Sequence, residues 1–93
     1  MLPIVWRPAA RRNWHAIIDY VSDHSPQGAN TLRTHLEQVL AQVSVHPRSG
    51  REGRVPGTRE ALIHPNYILV YRTEAHQIRL INVLHSARRY PSP

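Results

Sequence analysis

The stretch YILVYRTEAHQIRLINVLH, residues 67–85, contains two runs rich in β-branched and aromatic residues, separated by a polar turn. The runs YILVYR (67–72) and IRLINVLH (78–85) are typical of β-strands, and TEAHQ between them predicts a tight turn. TREALI (58–63), which leads into the turn HPN (64–66), predicts a further strand. Three strands joined by two tight turns indicate an antiparallel meander.

Two amphipathic helices precede this meander. Apolar residues recur at helical spacing over residues 9–23, at Trp14, Ile17, Ile18 and Val21. Ser25 followed by Pro26 has the form of a cap and first helical position, and predicts a second helix over residues 26–46. Its apolar stripe consists of Ala29, Leu32, Leu36, Val39, Leu40 and Val43. LPIVW (2–6) predicts a first strand, with Pro3 near its start.

The order of these elements predicts an α+β fold, β-α-α-β-β-β, with a helical hairpin on one face of a small, mainly antiparallel sheet of four strands. Residues 1–93 form one domain, and PRSGREGRVPG (47–57) is expected to be a loop. Because the helices cover one side only, the other is expected to be open. Alternation along the last strand assigns Ile78, Leu80, Asn82 and Leu84 to the covered side, and Arg79, Ile81, Val83 and His85 to the open side.

The composition excludes several classes of protein. The chain has no cysteine, so it has neither a disulfide nor a thiolate zinc site. No apolar run approaches the roughly 18 residues of a membrane span, and the N-terminal apolar stretch is too short for a signal peptide. The histidines have no zinc-motif spacing and there is no glycine-rich phosphate loop, so we expect no metal and no cofactor. A cytoplasmic location is expected.

All twelve basic residues are arginine, and the formal net charge is +6. Arginine binds carboxylates and phosphates through two parallel hydrogen bonds, so the surface suits an acidic peptide or a nucleic-acid backbone. In a simple meander, Arg59, Arg72, Arg88 and Arg89 converge near one end of the sheet as an anion site. The alternative is that Arg59 and Arg72 pair with Glu60 or Glu74 on the surface.

His85 ends the last strand. A histidine side chain can exchange a proton near neutral pH. Metal-independent cleavage of RNA needs a base, an acid and a cation beside the phosphate, and His85, Tyr90 and Arg72 could supply them. The alternative is that His85 bonds a loop carbonyl and fixes the end of the chain.

Three segments, SDHSPQGANTLRTHLEQV, HPRSGREGRVPGTREALIHPNYILVYR and INVLHSARRYP, resemble the ParE/RelE superfamily of bacterial toxins over nearly the whole chain. The long helical hairpin and the VLH..RR ending are most similar to the ParE, plasmid-stabilisation branch. The resemblance implies a growth-inhibiting toxin of a type II toxin–antitoxin module. An acidic antitoxin encoded beside it would neutralise it by direct binding in a heteromeric complex.

The resemblance implies two possible targets. ParE-like members inhibit DNA gyrase without being enzymes, whereas RelE-like members cut messenger RNA in the ribosomal A site. Because the catalytic set is incomplete here, the binding mode is favoured. The residues expected to bind antitoxin or target are Arg59, Arg72, Arg79, Ile81, Val83, His85, Arg88 and Arg89. A third hypothesis is a nucleic-acid-binding domain without toxicity.

Overall fold

A computed structural model describes residues 1–88 and 90–91 of the chain. The elements are β1 (Ile4–Trp6), α1 (Pro8–His24), α2 (Pro26–Val45), β2 (Arg51–Glu52), β3 (Arg59–His64), β4 (Tyr67–Thr73) and β5 (Ile78–His85). The strands form one sheet in the order β1-β5-β4-β3-β2. β1 pairs in parallel with β5, and the other pairings are antiparallel. The predicted α+β class, with a helical hairpin and a mainly antiparallel sheet, is confirmed.

The helical hairpin turns at Ser25, which ends α1 and begins α2. Its backbone N–H donates to the Val21 carbonyl at 2.7 Å, and its hydroxyl accepts from the Gly28 N–H at 2.9 Å. Pro26 fills the first position of α2, where no N–H is needed. The residues buried by the two helices are Ala10, Trp14 and Ile18 in α1, and Ala29, Leu32, Leu36, Val43 and Ser44 in α2. No helix in the described part of the chain is long and apolar enough to cross a membrane.

The segment 47–57, which was predicted to be a loop, contains the short strand β2. Arg51 lies opposite Glu60 and Glu52 lies opposite Arg59 in an antiparallel pairing. The sheet therefore has five strands and not the predicted four. Two residues are too few to show a periodic pattern, so the glycines and prolines around them dominated the prediction.

A bulge at Ile81 interrupts the alternation of β5. The pairs on either side of it join Val70 to Asn82 and Tyr71 to Leu80. Ile81 is therefore an extra residue, and side chains after it change sides. Beyond the bulge, Val83 packs into the core beneath the helices and is only 1% exposed. The prediction that Val83 lies on an exposed binding face is wrong, and so is the assignment of Leu84 to the covered side.

The two sides of the sheet have different covers, and we call the side toward the helices the helix face and the other the outer face. The helix face carries Ala61, Ile63, Leu69, Tyr71, Ile78, Leu80 and Val83. Alternation and packing assign Glu60, Leu62, Ile68, Val70, Arg72, Arg79, Ile81 and Leu84 to the outer face. The outer face was predicted to be open, but Tyr90 packs over its apolar centre. That prediction is wrong for the centre, because the chain after β5 returns across the sheet.

Candidate functional site

Glu60 is a buried carboxylate at the centre of a polar cluster on the outer face, with a side chain only 1% exposed. One carboxylate oxygen accepts from Nη2 and Nε of Arg51 at 2.9 and 3.3 Å. The other accepts from the Arg54 backbone N–H at 3.1 Å, lies 3.6 Å from Arg54 Nε, and accepts the Tyr90 hydroxyl. Because a buried charge is costly unless it is paired and hydrogen-bonded, this cluster has a structural role.

Tyr90 ties the segment after β5 to the outer face. Its ring packs against the buried cluster formed by Ile68, Val70 and Leu84. The Arg54 guanidinium lies over the ring, 4.5 Å from its centroid, within the range of a cation–π interaction. Tyr90 was a candidate member of a catalytic set with His85 and Arg72, for the alternative of RNA cleavage, but its hydroxyl here donates to Glu60.

Arg72 and Arg79 lie directly opposite each other on β4 and β5, beyond the apolar centre. Nε of Arg79 donates to a carboxylate oxygen of Glu74 at 3.0 Å, and the Gln77 amide donates to the other at 2.6 Å. These hydrogen bonds, that of Arg79 foremost, lower the pKa of the Glu74 carboxyl. Arg72 is exposed and forms no ion pair within the described residues. Like charges opposite each other are unfavourable, so an anion bound here would be stabilising.

His85 lies at the opposite end of β5 from Arg79. Its ring packs edge-on against Tyr67, with centroids 5.3 Å apart, and its Nδ1 accepts from the Ala87 N–H at 3.1 Å. The Ala87 contact fits the proposed role of fixing the chain end, except that the partner is an amide and not a carbonyl. His85 pairs with Tyr67, which packs against the helix-side core, so the assignment of His85 to the open side is also wrong.

The three residues of the predicted catalytic set do not converge. Arg72 lies five residues along β4 from Tyr67, the partner of His85, a separation of about 17 Å at the usual rise of a strand. An odd spacing in an unbroken strand also turns Arg72 to the opposite face from Tyr67. Tyr90 lies on the outer face with Arg72, but its hydroxyl is bonded to Glu60.

Arg59 holds the segment before β2 and does not face the outer face. Its Nη1 donates to the Gly50 carbonyl at 2.8 Å and to the Arg48 carbonyl at 3.5 Å. The buried Tyr71 hydroxyl donates to the Pro47 carbonyl at 2.7 Å and accepts from the Gly50 N–H at 3.0 Å. Arg59 was predicted to bind a partner, whereas its contacts here fix the backbone of its own chain.

The other predicted binding residues are distributed as follows. Ile81 is partly buried and packs against the apolar centre of the outer face. Arg88 is exposed in the turn after β5, where its N–H donates to the His85 carbonyl at 2.9 Å. Arg89 lies outside the described residues. The outer face thus brings together Arg72, Arg79 and Ile81 from the predicted set.

Sequence reasoning missed the cluster around Glu60. The surface alternative paired Arg59 and Arg72 with Glu60 or Glu74, whereas Glu60 pairs with Arg51 and Arg54, and Glu74 with Arg79. A signal for Glu60 exists in TREALI, where alternation assigns it to a single face with Leu62. Nothing in the sequence indicated Arg51 and Arg54 as the partners of Glu60, because β2 was not predicted.

A row of aromatic rings lines the sheet end that carries His85. Ring centroids are 6.4 Å apart between His35 and His64, and 6.2 Å apart between His64 and Tyr67. Within the part of the chain that the structure describes, no three histidine, cysteine or acidic side chains are arranged to hold a metal ion. His64 also stabilises the turn before β4, because its Nδ1 accepts from the Asn66 N–H at 3.1 Å.

Solved structures from toxin–antitoxin systems have the same fold. The chromosomal ParDE TA system of P. aeruginosa matches with a TM-score of 0.77 at 19% identity, over 91% of this chain and 96% of that one. The toxin–antitoxin complex RelBE2 of Mycobacterium tuberculosis matches with a TM-score of 0.64 at 22% identity, over 90% and 96%. The two helices and five-stranded mixed sheet of this chain therefore match the fold of these two structures.

Sequence comparison agrees with the fold. The chain is 26% identical to Toxin RelE2 of Caulobacter vibrioides over 88 residues, which are 95% of this chain and 99% of that protein. The family model of the ParE toxin of type II toxin-antitoxin system, parDE, matches residues 4–90. The chain belongs to this ParE toxin family, and the resemblance seen in the sequence is confirmed.

Proposed function

We propose that this toxin arrests growth by binding its target through the outer face, without proton chemistry of its own. The observation that carries the proposal is the arrangement of Arg72 and Arg79, which lie opposite each other, with Glu74 as their one ion-pair partner among the described residues. His85, the candidate base, packs against Tyr67. Tyr67 lies about 17 Å from Arg72 along β4. The outer face suits an acidic surface, because four arginines there (Arg51, Arg54, Arg72 and Arg79) accompany two glutamates (Glu60 and Glu74).

The cellular partner that silences the toxin is, in this proposal, an acidic antitoxin encoded beside it. An acidic antitoxin as the partner is supported by the formal net charge of +6 on the toxin and by the family to which the chain belongs. An acidic segment is attracted to such a surface and associates faster at low salt. Both proteins would meet in the cytoplasm.

The target that fits a binding toxin of the ParE family is DNA gyrase. The test is a supercoiling assay with purified gyrase and a relaxed plasmid. Supercoiling is measured as toxin is added in increasing amounts, with and without antitoxin. We expect inhibition that antitoxin reverses. Full supercoiling activity at toxin concentrations that arrest growth would overturn this target.

The RelE-like alternative is kept because a relative is named Toxin RelE2. Cells in which the toxin is induced without antitoxin distinguish it from the binding mode. Transcripts are mapped by primer extension within minutes of induction. Intact messenger RNA during growth arrest supports the binding mode. Cuts at fixed codon positions would replace it with ribosome-dependent cleavage, and normal growth would leave only a non-toxic binding domain.

A further inference from the structure

The charged residues of α1 are arranged against the dipole of the helix. Arg7 is the N-cap, Arg11 and Arg12 lie in the N-terminal half, and the first turn has no acidic residue. The acidic residues of α1, Asp19 and Asp23, lie in its C-terminal half. Because a helix is positive at its N-terminus and negative at its C-terminus, the opposite distribution of charge would stabilise it. A local rule that is broken without compensation inside the fold is typical of a functional site.

The three arginines, Arg7, Arg11 and Arg12, are exposed, and we call them the α1 ridge. None of the ion pairs among the described residues includes any of them. The Arg11 guanidinium lies 5.6 Å from the centroid of the Trp6 ring, within the range of a cation–π interaction. The Arg7 N–H donates to the Leu80 carbonyl at 3.0 Å and ties the start of the helix to β5. The ridge is therefore held on a rigid base, which lowers the entropy cost of binding.

We propose that the α1 ridge binds the phosphate backbone of double-stranded DNA, independently of base sequence. Arg7 and Arg11 are four residues apart, which corresponds to about 6 Å along the helix axis. Each DNA strand carries a phosphate about every 3.4 Å of the duplex axis, so guanidiniums at this spacing meet phosphates at any position along the duplex. Arginine binds a phosphate through two parallel hydrogen bonds.

The DNA ligand is separate from the target of the proposed function. The ridge belongs to α1, whose buried residues pack on the helix face of the sheet. The proposed target binds the outer face, on the other side of the sheet. The inference therefore holds or fails independently of growth arrest.

The side chains of the ridge favour duplex DNA over an acidic peptide. Extended and helical peptides are recognised through apolar pockets or grooves as well as through charge. Among residues 7–15, all of which the structure describes, no large apolar side chain is exposed. A surface that offers guanidiniums without apolar contacts suits a ligand whose exterior is a row of phosphates.

The same side chains favour duplex DNA over other nucleic acids. Proteins bind single strands by stacking bases on exposed aromatic rings, but the Trp6 ring beside the ridge lies under the Arg11 guanidinium. Double-stranded RNA is contacted through its 2′-hydroxyls as well as its phosphates. The Asn13 amide, the one amide side chain between residues 7 and 15, already donates to Asn82 at 2.6 Å.

The test measures binding of a short, fluorescently labelled DNA duplex of mixed sequence to the full toxin, by fluorescence anisotropy at several salt concentrations. The ridge variant combines Arg7→Gln, Arg11→Gln and Arg12→Gln. The control variant removes the same charge from exposed positions outside the ridge that form no ion pair with a described residue, and combines Arg33→Gln, Arg48→Gln and Arg88→Gln.

We expect the ridge variant to bind the duplex about tenfold or more weakly at low salt. The slope of log affinity against log salt concentration should become shallower by about 2.7, because each lost phosphate contact contributes about 0.9. The control variant should lose less than about threefold in affinity and change the slope by less than about 0.9. A second duplex of different sequence should bind equally well.

Urea denaturation checks that both variants fold. The ridge variant is expected to be at least as stable as the control, because removing cations from the N-terminus of a helix is favourable. If the ridge variant does not fold, Arg12→Gln alone replaces it and should make the salt slope shallower by about 0.9. An unchanged slope for Arg12→Gln would then overturn the proposal.

Three other results would overturn the α1 ridge as a DNA site. The first is absence of duplex binding by the wild-type toxin at low salt. The second is an equal loss of affinity in the ridge and control variants, which would show that net charge alone attracts DNA. The third is tighter binding of a double-stranded RNA of the same sequence, or of polyglutamate, through the same three arginines.

Discussion

The helix face and the outer face of one sheet bury apolar side chains by different means. On the helix face, two long helices cover strands β3 to β5, and residues such as Leu80 are completely buried. On the outer face, three apolar residues are covered by Tyr90 and the guanidinium above it. The helix face is therefore the main source of stability, whereas we expect changes on the outer face to have less effect on folding.

The sharpest test of this contrast uses two leucines of the same strand. Leu80→Ala leaves a cavity beneath the helices and is expected to lower the free energy of unfolding by about 4 kcal/mol, within the usual range for buried leucines. Leu84→Ala on the outer face is expected to cost about 2 kcal/mol, because a single ring can settle into the space. Urea denaturation measures both. A larger cost for Leu84→Ala would break the comparison.

Glu60→Gln tests the polar cluster around the buried Glu60 carboxylate. The amide keeps the shape but removes the charge that two arginines and a hydroxyl share, so we expect a loss of about 1–3 kcal/mol in the free energy of unfolding. Glu37→Gln removes the same charge from an exposed position on α2 and serves as control. Equal stability of the two variants would show that the cluster contributes nothing.

Tyr90→Phe keeps the ring over the apolar centre and removes only the hydrogen bond to Glu60. We expect a loss of about 1 kcal/mol in the free energy of unfolding. Because the segment after β5 would be held less tightly, hydrogen exchange at Ala87 and Arg88 should become faster. Unchanged exchange and stability would show that the hydroxyl does not anchor the segment.

The smallest effect concerns pH. The folded-state pKa of Glu74 lies below its ordinary value, with the Arg79 hydrogen bond as the main cause. This group therefore contributes stability above its ordinary pKa, and the contribution is lost as the pH falls through the lowered value. An NMR titration of the Glu74 side chain should show the depressed pKa, and Arg79→Gln should raise it. A Glu74 pKa insensitive to Arg79→Gln would contradict the contact.

Much of the fold follows from periodicity in the sequence. The helical stripes and the strand 78–85 have the predicted limits within two residues, because each covers several turns or pleats. The strand β2 and the bulge at Ile81 were missed, since each is set by pairing between segments distant in sequence. That one extra residue moved Val83 and Leu84 to the opposite faces from those predicted.

The site was harder to predict for the same reason. The position of Arg72 opposite Arg79 follows from the pairing of β4 with β5, which the predicted meander implies. The path of the chain after His85 has no periodic signal, so nothing indicated that Tyr90 would cover the outer face. With Tyr90 assumed free, His85, Tyr90 and Arg72 looked like one catalytic set.

The claim that the outer face acts by binding is tested most directly by colony formation after induction without antitoxin. Arg72→Gln with Arg79→Gln is compared with His85→Gln and with Arg12→Gln plus Arg33→Gln, which removes the same charge from exposed helical positions. With equal soluble toxin, we predict colonies only for the Arg72/Arg79 pair. Colonies from His85→Gln, with the Arg72/Arg79 pair still lethal, would contradict the claim.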